Sequence, residues 1–321
     1  MICLGVESTA HTFGIGIVKH NGEVLANVRN AHSPEEGGLH PRQTAEHHAE
    51  VCDTVLKEAI TNAGISIEDI DLISYSQGPG IPNCLKVGRA FSLTLSNKLK
   101  KPLIGVNHCV AHLEIGKLLT KAKDPVLLYV SGANTQVIAL ESGKYRIFGE
   151  TLDIGVGNML DTFGREKGMK FPAGPIIEKL ALNSKKYLEL PYTVKGMDLS
   201  FGGLLTQAIK SKGKIEDTCY SLQETVFAML LEVSERAMSH TQKKELILGG
   251  GVAANQRLND MAETMCKERG AKFYQVPKQY CIDNGAMIAW NGIKMFNAGM
   301  VTDNSTIIRN YRTDMVDVKW N

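Results

Sequence analysis

The feature that most constrains this chain is a pattern of strands and turns that occurs twice along it. Each copy has an apolar strand, a turn of small and polar residues, a second strand, a tight turn and a third strand. The first copy occupies residues 2–7, 8–14, 15–18, 21–22 and 23–27, and the second occupies 126–130, 131–135, 136–140, 142–143 and 145–149. One such turn alone is ordinary hairpin chemistry. Two in register indicate a duplicated fold and favour phosphate contact by exposed backbone amides.

Helical periodicity follows both copies, at residues 41–63, 222–240 and 284–297. A further buried strand is predicted at 245–248, and it runs into the three glycines at 249–251. Strands that alternate with helices indicate an α/β fold. We therefore predict two related α/β lobes with a ligand-binding cleft between them.

The composition is that of an ordinary globular protein, with 43% hydrophobic and 22% charged residues among 321. No apolar run approaches the ~20 residues that a membrane helix needs, and the chain starts without the basic segment of a signal peptide. The seven cysteines are dispersed, which favours reduced thiols in the cytoplasm over disulfides. A net charge of +2 excludes a self-sufficient nucleic-acid binder of the histone kind.

A metal site is predicted from two histidines with helical spacing. His108 and His112 are four residues apart and follow the strand predicted at 103–106, so on a helix they share one face. Two structural histidines are the alternative. Cys109 stands where a zinc protease of the HExxH type needs glutamate, so the general base of that mechanism is missing. Asp283 opens the last long helix and is predicted either as a third ligand or as a helix cap.

Four other polar side chains give weaker signals. Asp161 and Glu178 each follow a glycine-rich stretch, where carboxylates often accept ribose hydroxyls. A solvated helix surface is the alternative, and the residues alone favour it. His47 and His48 lie within the first long helix and are predicted as packing or surface residues.

Seven short motifs, in order over essentially the whole chain, carry a resemblance to a known family. They lie at residues 5–14, 76–80, 107–112, 129–132, 160–161, 250–255 and 283–287. They resemble the TsaD/YgjD family, and most closely its archaeal and eukaryotic branch, the catalytic subunit of the KEOPS complex. The chain departs from the usual family pattern at Ala133 and Ala173, where glycine is usual, and at Gly202, where serine is usual. The two methyl groups would narrow the space near the phosphates, and the missing hydroxyl would remove a contact.

The resemblance implies an actin-like ATPase domain of the ASKHA class, with two RNase H-like lobes and a cleft between them. We expect the N-terminal lobe at residues 1–115 and the C-terminal lobe at 116–299. The tail at 300–321 is expected to pack back on the N-terminal lobe.

The resemblance also implies the composition of the site. Its metal ligands fall on His108, His112 and Asp283, with Tyr129 as a further contact. We expect one divalent cation per subunit, Fe²⁺ first, with Zn²⁺ or Mg²⁺ as alternatives. The nucleotide, ATP or threonylcarbamoyl-AMP, is expected to contact Tyr129, Val130, Ser131, Gly132, Ala133, Asp161, Gly174, Glu178 and Asn255.

The implied reaction moves a threonylcarbamoyl group from its anhydride with AMP to N6 of the adenosine 3′ of the anticodon, in tRNAs that read codons beginning with A. It needs no covalent nucleophile. The implied partners are a small KEOPS kinase, a Pcc-type dimerising subunit, other small KEOPS subunits and tRNA, with no membrane. The alternatives are an ATP- and metal-binding scaffold, a metalloprotease and an actin-fold kinase. A kinase needs an acid near the turn at 131–135, which has none.

Overall fold

The structure is a computed structural model that describes residues 1–33 and 40–320. The elements of its first part are β1 (Ile2–Glu7), β2 (Thr12–Lys19), β3 (Val24–Ala31), α1 (Pro41–Ala63), β4 (Leu72–Gly78), α2 (Pro82–Leu99), β5 (Leu103–Asn107) and α3 (His108–Thr120). The remaining elements are β6 (Val126–Val130), β7 (Thr135–Glu141), β8 (Lys144–Glu150), α4 (Val156–Glu166), α5 (Gly174–Ala181), β9 (Val194–Lys195), β10 (Asp198–Leu199), α6 (Gly202–Lys210), α7 (Ile215–Thr241), β11 (Glu245–Gly249), α8 (Gln256–Glu268), β12 (Lys272–Tyr274), α9 (Lys278–Cys281) and α10 (Gly285–Asn297).

Two five-stranded mixed sheets share one strand order. The first sheet runs β3-β2-β1-β4-β5, and the second runs β8-β7-β6-β11-β12. In each, the first three strands pair antiparallel, and the last two run parallel to the central strand. The duplicated pattern predicted from the sequence is therefore confirmed as two copies of one mixed α/β topology.

Helices cover both faces of the first sheet. On one face, Leu4 packs in a cluster with Val55 of α1 and residues of α2. On the other face, Cys3 packs with Ile115 of α3 and Met287 of α10. Side chains of β1 alternate between the two faces, as the period of a strand requires.

Helix α10 approaches the first sheet at backbone contact because glycines face it. A Cβ atom added at Gly16 would lie 2.0 Å from the backbone nitrogen of Ala286, and one at Gly5 would lie 2.2 Å from that of Ala289. No side chain fits at either position, so the start of α10 is fixed against β1 and β2. This helix lies within residues 116–299, the range expected for the C-terminal lobe, yet it packs on the first sheet. The boundary at 115/116 otherwise stays a prediction.

The second sheet has its own core, centred on α7. That helix begins seven residues before the predicted start at 222. The sequence does not show a helical period of apolar residues there, because buried polar residues occupy several of the inward-facing positions. Asp217 accepts a hydrogen bond from the Ser184 hydroxyl, and Ser221 donates to the Asp217 carbonyl. Among the described residues no helix is long and apolar enough to cross a membrane, and all seven cysteines are free.

The tail after α10 contacts both sheets. Arg89 of α2 donates to the Asn304 carbonyl at 2.7 Å, so the first part of the tail lies on the N-terminal lobe. Farther along, the Val318 amide donates to the carbonyl of Gly143, between β7 and β8, at 2.9 Å. The beginning of the tail therefore contacts α2, and its end contacts the turn between β7 and β8, while the assignment of the tail to one lobe stays a prediction.

Candidate metal and nucleotide site

The candidate site lies where the carboxyl ends of the central strands of both sheets meet. Glu7 is the last residue of β1, and His108 directly follows β5, which runs in the same direction. Tyr129 is the next-to-last residue of β6, the equivalent of β1 in the second sheet. Ligands of open α/β sheets bind at this end of the strands.

Helix α3 starts at the histidine pair because Asn107 caps it. The Asn107 side chain accepts hydrogen bonds from the amides of Cys109 and Val110, at 2.9 and 3.1 Å. Its own amide group donates to the Tyr311 carbonyl in the tail at 2.8 Å. The cap satisfies two of the free donors at the helix start and fixes the direction in which both histidines project.

The two histidines and Asp283 form one cluster, as expected. Asp283 Oδ1 lies 3.4 Å from His108 Nε2 and 3.3 Å from His112 Nε2. One ligand atom from each residue lies within 4.8 Å of the others. The Tyr129 hydroxyl is 2.9 Å from His108 Nε2, and its ring lies 5.0 Å from that of His112. The structure therefore brings together all four residues expected at the metal.

Asp283 is free to face the histidines because its neighbour caps the helix. The Asn284 side chain accepts from the Met287 amide at 3.1 Å and donates to the Ile282 carbonyl at 2.8 Å. The alternative role predicted for Asp283, a helix cap, thus belongs to the next residue.

Behind His108 lies a buried carboxylate that the sequence analysis did not assign to the site. His108 Nδ1 donates to Glu7 Oε2 at 2.9 Å, and the Thr9 hydroxyl and amide both donate to Glu7 Oε1. Glu7 is fully buried. A carboxylate behind a histidine fixes the ring with its proton on Nδ1 and leaves Nε2 for a metal. The sequence did contain a signal for this residue, since Glu7 is an acid at the end of an apolar strand. A carboxylate that is buried at such a position needs hydrogen-bonding partners, because burying an unpaired charge is costly.

The electrostatic environment of the cluster favours positive charge. Burial acts to lower the pKa of His108, but Glu7, Tyr129 and Asp283 raise it well above its ordinary value. Burial acts to raise the pKa of Asp283, but His108 and His112 hold it well below its usual range. Burial lowers the pKa of His112 and raises that of the Tyr129 phenol. Glu7, which is buried, and Asp283, which is partly buried, thus favour a positive charge at His108 between them.

The residues present fit a divalent cation. A tetrahedral ion with ligand bonds of about 2.0–2.2 Å holds neighbouring ligand atoms about 3.3–3.6 Å apart. The two contacts of Asp283 with the histidines, 3.3 and 3.4 Å, match that spacing. Nitrogen ligands with one carboxylate suit iron or zinc better than magnesium, which prefers oxygen.

The small-residue turn after β6 exposes backbone amides. Gly132 and Ala133 are exposed, and within the described ranges their amides have no protein acceptor. The start of α4 packs beneath the turn, because Gly157 and Asn158 donate to the carbonyls of Ser131 and Gly132 at 3.0 and 2.9 Å. Free amides held in one direction can bind an anion.

Of the other residues expected at the nucleotide, Gly174 begins α5 and Asn255 caps α8, whereas Asp161 and Glu178 lie within α4 and α5. Asp161 accepts from the Ala173 amide at 2.8 Å, just before Gly174 at the start of α5. Glu178 Oε1 accepts from the Gln256 amide at 2.7 Å, beside Asn255, which caps α8. These contacts use one oxygen of each carboxylate. Contact with a nucleotide stays a prediction for all of these residues.

The amide of Gly250, in the glycine turn after β11, is hydrogen-bonded within the protein. The Gly250 amide donates to the Cys281 carbonyl at 2.8 Å, so it is not open to a phosphate. With φ at +91°, a Cβ here would lie 2.3 Å from the Val130 carbonyl oxygen. This glycine holds the loop before Asp283 against β6.

Two departures from the family pattern have a local explanation. Ala173 is buried, and its methyl group faces Gly164 of α4, where a Cβ would lie only 2.2 Å away. The methyl group therefore packs against α4. At position 202, the Gly202 amide donates to Asp153 at 2.8 Å, and Asp153 also accepts from the Ser200 hydroxyl. Ala133 is exposed, and its effect on a ligand stays a prediction.

Structures of other proteins show the same fold at low sequence identity. HypF from T. kodakarensis is similar over 92% of this chain and 48% of that chain, with a TM-score of 0.65 and 15% identity. Component A of (R)-2-hydroxyglutaryl-CoA dehydratase from Acidaminococcus fermentans is similar over 92% of this chain and 98% of that chain, with a TM-score of 0.55 and 16% identity. These neighbours support an ASKHA-like fold.

Relatives in sequence are much closer and share one activity in their names. A tRNA N6-adenosine threonylcarbamoyltransferase from Thermococcus sibiricus is 55% identical over the full length of both chains. A probable bifunctional tRNA threonylcarbamoyladenosine biosynthesis protein from Methanocaldococcus jannaschii is 54% identical over all of this chain and 60% of that longer protein. The profile of the TsaD family matches residues 23–290. This chain belongs to the TsaD family of tRNA N6-adenosine threonylcarbamoyltransferases.

Proposed function

We propose that this chain transfers the threonylcarbamoyl group of threonylcarbamoyl-AMP to N6 of the adenosine 3′ of the anticodon, in tRNAs that read codons beginning with A. The observation that carries the proposal is the position of the His108–His112–Asp283 cluster. It lies beside β6, whose next turn exposes the amides of Gly132 and Ala133. A group bound at the cluster and a phosphate bound at the turn would belong to one extended acyl-adenylate.

The residues divide into two tasks. The amides of Gly132 and Ala133 would bind the phosphate, while Asp161, Glu178 and Asn255 would hold the ribose and adenine. At the other end, His108, His112, Asp283 and Tyr129 would hold one divalent cation, Fe²⁺ first and Zn²⁺ second. When bound, such an ion supplies Lewis-acid stabilisation of developing negative charge. Tyr129 is fully buried beside the histidines, with its hydroxyl 2.9 Å from His108 Nε2.

We propose an actin-like ATPase fold with two RNase H-like lobes and the site in the cleft between them. The lobes would span residues 1–115 and 116–299, with α10 added to the first by its packing. We also propose that the chain acts in the cytoplasm within the KEOPS complex, with the small kinase, the Pcc-type subunit and the other small subunits. Its net charge of +2 supports this, because a weakly charged chain needs partners to hold tRNA.

The test is threonylcarbamoyl transfer by the assembled system. The protein, its partners, the adenylate-forming enzyme, ATP, bicarbonate, labelled threonine and unmodified tRNA are combined, and the label in tRNA is counted. We expect label with the wild-type chain and a loss of at least about 100-fold with His112→Ala, because a metal ligand is removed. The matched control is His20→Ala, an exposed histidine in the β2–β3 turn, which should keep full transfer.

Metal analysis of the same variants separates the two parts of the proposal. Wild-type metal content in a His108→Ala/His112→Ala double variant would refute the ligand assignment. A folded, metal-loaded wild-type protein that transfers no label, beside a working homologue, would refute the transferase and favour the scaffold.

A further inference from the structure

A second group of histidines lies on the first lobe, away from the His108 cluster. His47 and His48 are neighbours in α1, and His32 directly follows β3. The rings of His32 and His47 lie 5.3 Å apart, and those of His47 and His48 lie 5.7 Å apart. These separations resemble the 4.8 Å between the rings of His108 and His112. The sequence analysis predicted His47 and His48 only as packing or surface residues.

With Asn30 Oδ1 facing His47, the hydrogen bonds of the pair in α1 put the proton of each ring on Nε2. His48 Nε2 is 3.0 Å from the carbonyl oxygen of Ala10, which can only accept, so Nε2 is the donor. His47 Nε2 is 2.9 Å from Asn30 Oδ1, which also only accepts. In the neutral imidazole the other nitrogen then carries a lone pair. Both Nδ1 atoms are therefore acceptors.

These two acceptors face each other. His47 Nδ1 and His48 Nδ1 are 3.4 Å apart, and with both rings neutral no hydrogen lies between them. A proton shared by the pair would require a charged imidazolium, which burial disfavours, and His48 is fully buried. A cation that accepts both lone pairs removes the conflict. The distance is that between two ligands of one tetrahedral ion, about 3.3–3.6 Å.

A third acceptor is available beside the pair. His32 Nε2 is buried and has no hydrogen-bond partner among the described residues. A rotation of the His32 side chain is needed to turn this nitrogen toward the pair. We propose that His32, His47 and His48 form a second divalent-metal site, selective for a cation that prefers imidazole, such as Zn²⁺, Ni²⁺ or Cu²⁺.

A cation there would connect α1 to the first polar turn. His48 holds the carbonyl of Ala10, which is three residues after Glu7, the carboxylate behind His108. On the same turn, His11 contacts Phe171 of the second lobe with ring centroids 6.0 Å apart. Binding would stabilise the folded lobe, because an ion that binds only the native state raises its stability.

The experiment is equilibrium dialysis of the full chain against Zn²⁺, with elemental analysis. We expect two equivalents in the wild type and in the control His20→Gln. We expect one equivalent in His47→Gln and in His32→Gln, both partly exposed positions where glutamine keeps the size and polarity of the side chain. His112→Ala should lose the other equivalent and keep this one, so that the double variant His112→Ala/His47→Gln binds none.

Binding of a single Zn²⁺ by the wild type would overturn the proposal. Retention of the second equivalent in either His47→Gln or His32→Gln would do the same, since the site needs all three imidazoles. A second readout is the increase in Tm on adding Zn²⁺ to the His112→Ala background. It should disappear when His47→Gln is added, and an unchanged increase would also overturn the site.

Discussion

The two sheets have the same strand order, but the polar turns after β1 and β6 differ in their hydrogen bonds. After β1, Glu7, Ser8 and Thr9 are buried, and the amides of Ser8 and Thr9 are hydrogen-bonded within the protein. The Ser8 amide donates to the Ser76 hydroxyl, and the Thr9 amide donates to Glu7. After β6, Gly132 and Ala133 are exposed, and their amides have no protein acceptor among the described residues.

The difference shows how two copies of one structural element can differ in the groups that they leave available for a ligand. The Glu7 side chain at the end of β1 accepts a hydrogen bond from the Thr9 amide with one carboxylate oxygen, and its other oxygen accepts from His108. The equivalent position in the second lobe, at the end of β6, is followed by residues too small to reach those amides. The first turn therefore orients the His108 ring, whereas the Gly132 and Ala133 amides of the second turn have no acceptor in the described part of the chain.

The largest effect is expected from Glu7→Gln, which tests the role of the first turn. This substitution keeps the shape of the turn and removes the charge of the carboxylate. We expect metal affinity to fall about 10- to 100-fold, because the carboxylate behind a ligating histidine is lost. Titration with Fe²⁺ or Zn²⁺ measures it, and Glu23→Gln, an exposed acid after the same hairpin, is the control. Equal metal affinity in the two variants would show that the buried carboxylate does not support the ligand.

The second turn is tested by Gly155→Ala. A Cβ there would lie 2.4 Å from the carbonyl oxygens of both Gly132 and Ala133, so the turn must move. We expect a loss of about 1–3 kcal/mol in unfolding free energy and weaker binding of ATP, with metal content unchanged. Gly203→Ala is the control, because nothing lies within 4 Å of its Cβ. ATP binding equal to that of the control would contradict a role for this turn.

A smaller effect is expected from Glu178→Gln. The glutamine can still accept from the Gln256 amide, so the fold is preserved while the negative charge is lost. We expect ATP affinity to fall about 3- to 10-fold, the net contribution of one ordinary hydrogen bond, with no change in metal content. Calorimetry beside Glu263→Gln, an exposed position on α8, measures the difference. A loss of metal together with nucleotide would mean that the two turns are not separate in function.

The smallest effect concerns Asp153, a carboxylate three residues before the start of α4. Burial acts to raise its pKa, but hydrogen bonds from Ser200, Phe201 and Gly202 lower it to about 2. A depressed carboxyl pKa stabilises the fold above the ordinary Asp range, and the contribution is lost as pH falls toward 2. We expect the Tm of Asp153→Asn to lie about 1–3 °C below that of the wild type at pH 7, with the gap closing near pH 2. A constant gap over this range would exclude the charge as its cause.

Local patterns in the sequence predicted the elements that carry the site. The strands of both copies, the helix that starts at the histidine pair and the last long helix are all confirmed. The period of apolar residues encodes such elements within a few residues of chain, so no tertiary information was needed. The helix α7 was predicted too short because its first turns bury polar side chains that hydrogen-bond to one another.

The candidate metal site could be assembled from the sequence only through the family resemblance. His108 and His112 share a helix face by spacing alone, but Asp283 reaches His112 across 171 residues of chain. No local pattern distinguishes an aspartate that caps a helix from one that faces a metal. In the structure, Asn284 caps α10, which leaves the Asp283 side chain free to face the histidines. Gly5 and Gly16 allow α10 to approach the sheet closely enough to bring Asp283 there.

The sequence by itself therefore determined the duplicated α/β topology, the helical spacing of the two histidines and the family. The tertiary structure decided that Glu7 is buried behind His108, that Asp283 completes the cluster and that His32, His47 and His48 lie together. The physical reason is the range of the interactions. Periodicity and capping act between neighbours in the chain, whereas burial and ligand geometry depend on which distant surfaces pack against each other.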